Sequence, residues 1–149
     1  MDQYSLAPVG QYTLAHLHGN LVFSAGMTPR DEAGLLARGR VGEDLTVTQA
    51  KDLAFHAAKR ALQAATLAAE NRAQTVESVV SLTVYIAAGP DFVEHSAVAD
   101  GASAAIARLE SSQPLPTRAA VGVSSLPGGS PIEVQLIATT GHRTRPPET

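Results

Sequence analysis

Two periodicities run through this chain. Apolar positions alternate with polar ones over residues 79–86, where Val80, Leu82, Val84 and Ile86 line one face and Ser81, Thr83 and Tyr85 the other. That spacing predicts a half-buried β-strand. Over residues 50–68 the apolar positions instead recur every three to four residues, at Ala50, Leu53, Ala54, Ala57, Ala58, Ala61, Ala64, Ala65 and Ala68. This is a helical stripe, and its small side chains allow close approach to a sheet. Thr46 and Gln49 ahead of it offer a capping box, and Asn71-Arg72 closes it. A second helix is predicted beyond Gly89-Pro90, with Asp91 and Glu94 at its start and Val98, Ala102, Ala105, Ile106 and Leu109 inward. Its Gly101 costs about 1 kcal/mol of helix propensity, which implies a close packing contact as compensation.

Four further extended runs complete the pattern. Residues 12–18 and 21–26 flank Gly19-Asn20, which reads as a tight hairpin because Gly tolerates positive φ. The second of these runs is apolar on both faces and is therefore expected inside a sheet. Residues 27–45 form a turn-rich excursion with scattered charge and a weakly signalled strand near Val41. Residues 117–124 and 132–138 read as the last two strands, separated by a Pro/Gly turn at 126–131. The fold class is α+β: one domain over 1–149, ordered β-β-α-β-α-β-β, with a core at 7–139 and a flexible tail at 140–149. Two helices pack on one face of the sheet.

The other face is then unusual. Alternation assigns Ala119, Val121 and Val123, with Ile132, Val134 and Leu136, to the helix side. Ser81, Thr83, Tyr85, Arg118, Ala120, Gly122, Ser124, Glu133, Gln135 and Ile137 are left for the open side. A solvated face usually carries Lys, Glu and Thr; this one is small and nearly uncharged. It is expected to be covered by further copies of the chain in a closed ring, the alternative being a lightly polar exposed face.

Composition narrows the chemistry. With 149 residues the chain buries roughly 70% of its unfolded surface, enough for a core without staples. Eleven Lys+Arg against fourteen Asp+Glu leave a net charge of −3, without the basic footprint of a nucleic-acid binder. No cysteine is present, so disulfides, thiolate metal sites and cysteine nucleophiles are excluded. Lacking a membrane-length apolar run and a signal-like start, the chain is expected to be soluble and cytoplasmic. Two imidazoles at His16 and His18 lack a third ligand nearby, and the Gly128-Gly129 turn has no P-loop Lys, so no metal or cofactor is assigned.

Arg118 and Glu133 are the two charges on the quiet face. A guanidinium matches a carboxylate in bidentate fashion, and a carboxylate can take a proton from water. An Arg–Glu ion pair that merely tidies an interface is the structural alternative. In a simple hairpin the two would lie several pairs apart, so a shared site would use a subunit boundary.

At these residues the sequence resembles the RidA/YjgF superfamily, the endoribonuclease L-PSP or chorismate-mutase-like proteins, over about residues 7–139. The resemblance rests on Pro8-Val9-Gly10-Gln11-Tyr12, on residues 19–26, on residues 80–86, and on Arg118-Ala119-Ala120-Val121 followed by Leu126-Pro127 and Ile132-Glu133-Val134. It implies a homotrimer around a β-barrel-like centre, with ligand pockets at the subunit clefts. It also implies hydrolysis of reactive imines or enamines to 2-oxo acids and ammonia. In that chemistry Arg118 clamps the carboxylate of a small metabolite, Glu133 orients or activates water, Tyr12 borders the ligand, and Ala25 and Ala120 line the pocket. The family's usual Ser-Gly-Gln reads Ala25-Gly26-Met27 here, and Ala99 stands near a usual pocket Asn. These departures motivate a second reading, a non-catalytic trimer that binds a metabolite through the same cleft. An endoribonuclease role fits poorly with the net charge.

Overall fold

The computed structural model describes residues 6–109 and 112–143; the Leu109 side chain and most of the expected tail, 144–149, lie outside the described residues. The Gly19-Asn20 hairpin joins β1 (Ala15–His18) to β2 (Leu21–Ser24), with Gly19 at φ 62°. A small hairpin, β3 (Arg30–Asp31) and β4 (Gly34–Leu35), stands inside the turn-rich excursion. The weak strand expected near Val41 is only a pair of isolated bridges, to Leu45 and Ala88. Then follow α1 (Val47–Glu70), β5 (Gln74–Ala87), α2 (His95–Leu109), β6 (Thr117–Val123) and β7 (Ile132–His142). The last strand runs into the segment read as tail.

The main sheet has the order β1-β2-β7-β5-β6, with β5 and β6 parallel and every other pair antiparallel. β2 is interior, as its two apolar faces require. β6 and β7 do not form a hairpin: β5 lies between them, and the two last strands never pair.

Helix α1 starts where its capping box stands. The Thr46 hydroxyl accepts from the Gln49 amide at 3.1 Å while the Gln49 side chain accepts from the Thr46 amide at 2.9 Å. The alanine stripe is buried from Ala50 onward, closing on Ala69 rather than Ala68. Helix α2 begins at His95, later than Asp91; a turn from Phe92 N–H to Gly89 carbonyl occupies the expected start. A Cβ built on Gly101 would drive into the Lys51 carbonyl, so the two helices meet backbone to backbone. Val22, Leu82, Val84, Ile86, Val134, Leu136 and Ala138 lie beneath the helices as the core.

Two strand assignments are corrected. A register shift between Val79 and Ser81 turns Val79 inward and Val80 outward, because a bulge inserts a residue and inverts the alternation ahead of it. In β6 the parity is the reverse of that read from its apolar residues. Leu82 pairs with Arg118, Val84 with Ala120 and Ile86 with Gly122, so Arg118, Ala120 and Gly122 share the helix side. Ala119 and Val121 point to the open face with Thr83, Tyr85, Glu133 and Gln135. The reason is that β6 is an edge strand whose inner side receives polar residues of α2 and the His95 ring, not a hydrophobic layer.

Candidate active site

Glu133 sits second in β7, directly across from Tyr85 on β5. Beyond β7 the chain 25–28 runs alongside it. The Met27 amide donates to the Val134 carbonyl at 2.7 Å and the Val134 amide returns the bond at 2.9 Å. This pairing sets Gly26 against the Glu133 side chain: a Cβ on Gly26 would lie 2.6 Å from the carboxyl carbon. Glycine is the residue that permits this approach. The carboxyl is half-buried, and among the described residues no hydrogen bond or ion pair reaches it. Burial pushes its pKa above the ordinary carboxylate value.

Glu133 lies in a cleft of about 540 Å³ whose walls include Tyr12, Thr13, Ala25, Gly26, Thr28, Arg30, Gln135 and the turn at Pro127-Gly128. Tyr12 is 45% exposed, and its hydroxyl accepts from the Val9 amide at 3.3 Å, bending the segment before β1 over the opening. Arg30, at the start of β3, lines the same cleft and makes no side-chain hydrogen bond or salt bridge among the described residues. Behind it, Arg60 of α1 donates to the Thr28 carbonyl at 2.6 Å. Burial chiefly, and then the positive charge of Arg30, hold the Arg60 guanidinium below its ordinary pKa, with Tyr12 opposing. The cleft thus carries an uncompensated carboxyl and an uncompensated guanidinium that do not bond each other.

Of the residues read from sequence, Tyr12, Ala25 and Glu133 come together here. Arg118 and Ala120 do not join them within the chain. Arg118 reaches back to α2: Nη1 donates to Asp100 Oδ1 at 2.8 Å and to the Ser103 hydroxyl at 2.9 Å, and Nη2 to the Ser96 hydroxyl at 2.8 Å. Ala99 is fully buried in the core. His16 and His18 are exposed on edge strand β1. Sequence reasoning missed Arg30 and the contact made by Gly26. Arg30 looked like scattered charge in a turn; only the long-range bridge from Met27 to Val134 reveals that the turn borders Glu133.

Two helices on one face of a mixed five-stranded sheet, with a carboxyl-bearing cleft beside the last strand, define an α+β protein of the chorismate-mutase-like class. Residues 3–140 match the model of the endoribonuclease L-PSP family, and the chain belongs to it, within the RidA/YjgF superfamily. Protein TCP17 of Trypanosoma cruzi is 32% identical over 132 residues, covering 88% of this chain and 82% of that protein. The crystal structure of Atu1372 from Agrobacterium tumefaciens, a protein of unknown function, superposes with a TM-score of 0.80 at 30% identity, covering 90% of this chain and 85% of the other. RidA from an Antarctic Psychrobacter superposes with a TM-score of 0.59 at 25% identity, covering 89% and 91%. Among the described residues no helix is long and apolar enough to cross a membrane.

Proposed function

We propose that the chain hydrolyses small 2-imino or enamine acids to 2-oxo acids and ammonia, in clefts of a homotrimer. The observation that carries this reading is Glu133, a half-buried carboxyl with no hydrogen-bond or ion-pair partner among the described residues, held against Gly26 in a cleft that Tyr12 borders. A carboxylate with a raised pKa is a stronger base toward water, and its protonated form, populated closer to neutral pH, is at hand as the acid for the next step. Water adds to the imine carbon as Glu133 takes its proton. With a protonated imine this gives a neutral carbinolamine. Glu133 returns the proton to its nitrogen, the C–N bond breaks with ammonia leaving as the C=O bond forms, and the hydroxyl proton passes back to Glu133. A cation must hold the substrate carboxylate. Two guanidiniums are candidates for it, Arg30 within the cleft and Arg118 on the edge strand β6 of a neighbouring copy, with Ala120 beside it on the helix side of that strand.

The test is decay of an imine generated in situ from an amino acid by an amino-acid oxidase, with ammonia as readout. The wild-type chain is expected to accelerate hydrolysis and Glu133→Gln to lose most of the acceleration. Decay no faster than in buffer overturns the reading. The second reading, a non-catalytic metabolite-binding trimer, is favoured by Ala25, which removes a hydroxyl from the cleft wall. It predicts a ligand bound without turnover.

A further inference from the structure

We propose that Ser96, Asp100 and Ser103 on one face of α2 position Arg118, holding its guanidinium by one end and leaving the other edge to a ligand carboxylate. Asp100 is the decisive member. The proposal rests on the reading above in which Arg118 of a neighbouring copy anchors the substrate, and it deepens that reading.

Spacing comes first. Ser96, Asp100 and Ser103 stand at i, i+4 and i+7 of α2, so a single stripe of the helix carries all three. Val98, Ala102, Ala105 and Ile106 are buried as core. A polar stripe on a surface helix ordinarily faces water. This one instead meets the inner side of β6, where Arg118, Ala120 and Gly122 stand in place of large apolar residues.

The donors of Arg118 are divided unevenly. A guanidinium has five N–H groups. Nη1 spends its two on Asp100 Oδ1 at 2.8 Å and the Ser103 hydroxyl at 2.9 Å. Nη2 donates to the Ser96 hydroxyl at 2.8 Å, with the Ser96 carbonyl a longer contact at 3.4 Å. Nε donates to no acceptor among the described residues. The end of the fork is therefore committed, while the edge that contains Nε is free to meet a carboxylate side-on. Because β6 is the edge strand, no further strand of its own chain lies beyond Arg118.

The two elements that the bond joins are stiff. Asp100 is more than half exposed, and an exposed ion pair adds little stability. Its backbone, however, lies between Ala99, fully buried, and Gly101, which meets the Lys51 carbonyl of α1. Ahead of Arg118, the Thr117 hydroxyl donates to the Val80 carbonyl at 2.9 Å and fixes the start of β6. One short bond between two fixed backbones aims a side chain that would otherwise sample many rotamers. An arginine already held in place loses less freedom when it grips a ligand. Ser96, Asp100 and Ser103 are thus positioning residues, acting through Arg118.

Simple charge and positioning predict opposite signs. Removing the Asp100 carboxylate leaves Arg118 less neutralised, which by Coulomb attraction alone would tighten an anion. Loss of aim would loosen it.

The probe is 2-oxobutanoate, a product of the proposed reaction, titrated into the folded full chain and followed by ligand-observed NMR, with circular dichroism checking each variant. Asp100→Ala is expected to weaken binding about tenfold, and Asp100→Asn, which keeps the acceptor oxygen, to stay within about threefold of wild type. Asp52→Ala removes the same charge from the exposed side of α1 and is expected to bind as wild type does. In imine hydrolysis Asp100→Ala should raise KM while kcat stays within about twofold. Ser103→Ala, which removes the second Nη1 partner, should weaken binding about threefold and carries the test if Asp100→Ala loses the fold. Unchanged or tighter binding in these alanine variants overturns the proposal; if Arg118→Met still loses the ligand, the reading of Arg118 survives that failure. Arg118→Met binding as wild type does, or no binding by wild type, overturns both. Binding that depends on Arg118 and Asp100 without imine turnover sustains the positioning and removes the hydrolase.

Discussion

The carboxyl of Glu133 rests against the α-carbon of Gly26, close enough that a methyl group there would lie 2.6 Å from Cδ and 2.8 Å from one carboxyl oxygen. The atoms in the way are the end of a flexible side chain, so Gly26→Ala is expected to move Glu133 and not the backbone. Stability should change by about 1 kcal/mol or less, as for most substitutions that leave the core packed. Imine hydrolysis should fall far more than that, because a displacement on the order of 1 Å at a catalytic group costs about a hundredfold in rate. Thermal unfolding alongside the ammonia assay separates the two; a large loss of Tm with proportionate loss of rate would show that Gly26 serves the fold instead.

Burial of Glu133 links folding to pH in a definite direction. Its pKa is raised in the folded state, so between the ordinary carboxylate value and the raised one the folded chain binds more protons than the unfolded chain. Stability contributed by this group is therefore full below the ordinary value and is lost as pH rises through the folded value. Glu133→Gln removes the titrating group and keeps the shape. Its stability relative to wild type is expected to increase as pH climbs through that window, by chemical denaturation at a series of pH values. A variant that instead loses stability relative to wild type toward neutral pH would mean the carboxylate has a stabilising partner.

Most of the fold was legible because local signals and tertiary packing agree. The Thr46–Gln49 box, the alanine stripe and the Gly19-Asn20 hairpin each specify an element through neighbours in sequence. The site was legible only in part. Tyr12, Ala25 and Glu133 line one cleft, but Arg118 was placed on the open face by assuming that Ala119 and Val121 are core. On an edge strand that assumption fails. The inner side of β6 is filled by the hydroxyls and carboxylate of α2, whereas the apolar side looks outward. Alternation gives two faces but does not say which one the helices cover, and no residue of β6 alone records it. Arg30 was hidden for a different reason: what brings it to Glu133 is a pairing between residues far apart in sequence.

Helix packing at Gly101 sets two effects in opposition. Alanine would gain about 1 kcal/mol of helix propensity over glycine. Its Cβ, however, would enter the space of the Lys51 carbonyl, a backbone group in the second turn of α1 that cannot swing aside. Overpacking of this kind costs about 1–3 kcal/mol, so the clash wins or at best balances the gain. Gly101→Ala is expected to lower the Tm by several degrees, with α1 and α2 forced apart. A Tm equal to or above that of wild type would show that the helices separate freely and that their contact contributes little.

The open face of the sheet carries more apolar surface than its sequence alternation implied, and this bears on assembly. Phe23 is 40% exposed and Val121 38%, and Ala119 faces the same way as Val121. Water-facing sheet residues are ordinarily polar, so this surface favours cover by another polypeptide. A trimer of copies meeting through these faces would bury Val121 without using it in the core of its own chain. Glutamate at that position would bring three like charges into the seam, each without a partner. Val121→Glu is therefore expected to leave the circular dichroism of the chain unchanged while converting the proposed trimer to monomers in sedimentation velocity. The thermal transition should also shift downward, since subunits that bind only the folded state stabilise it. Wild-type protein sedimenting as a single subunit, or a Val121→Glu trimer as robust as wild type, would move the assembly interface away from this face.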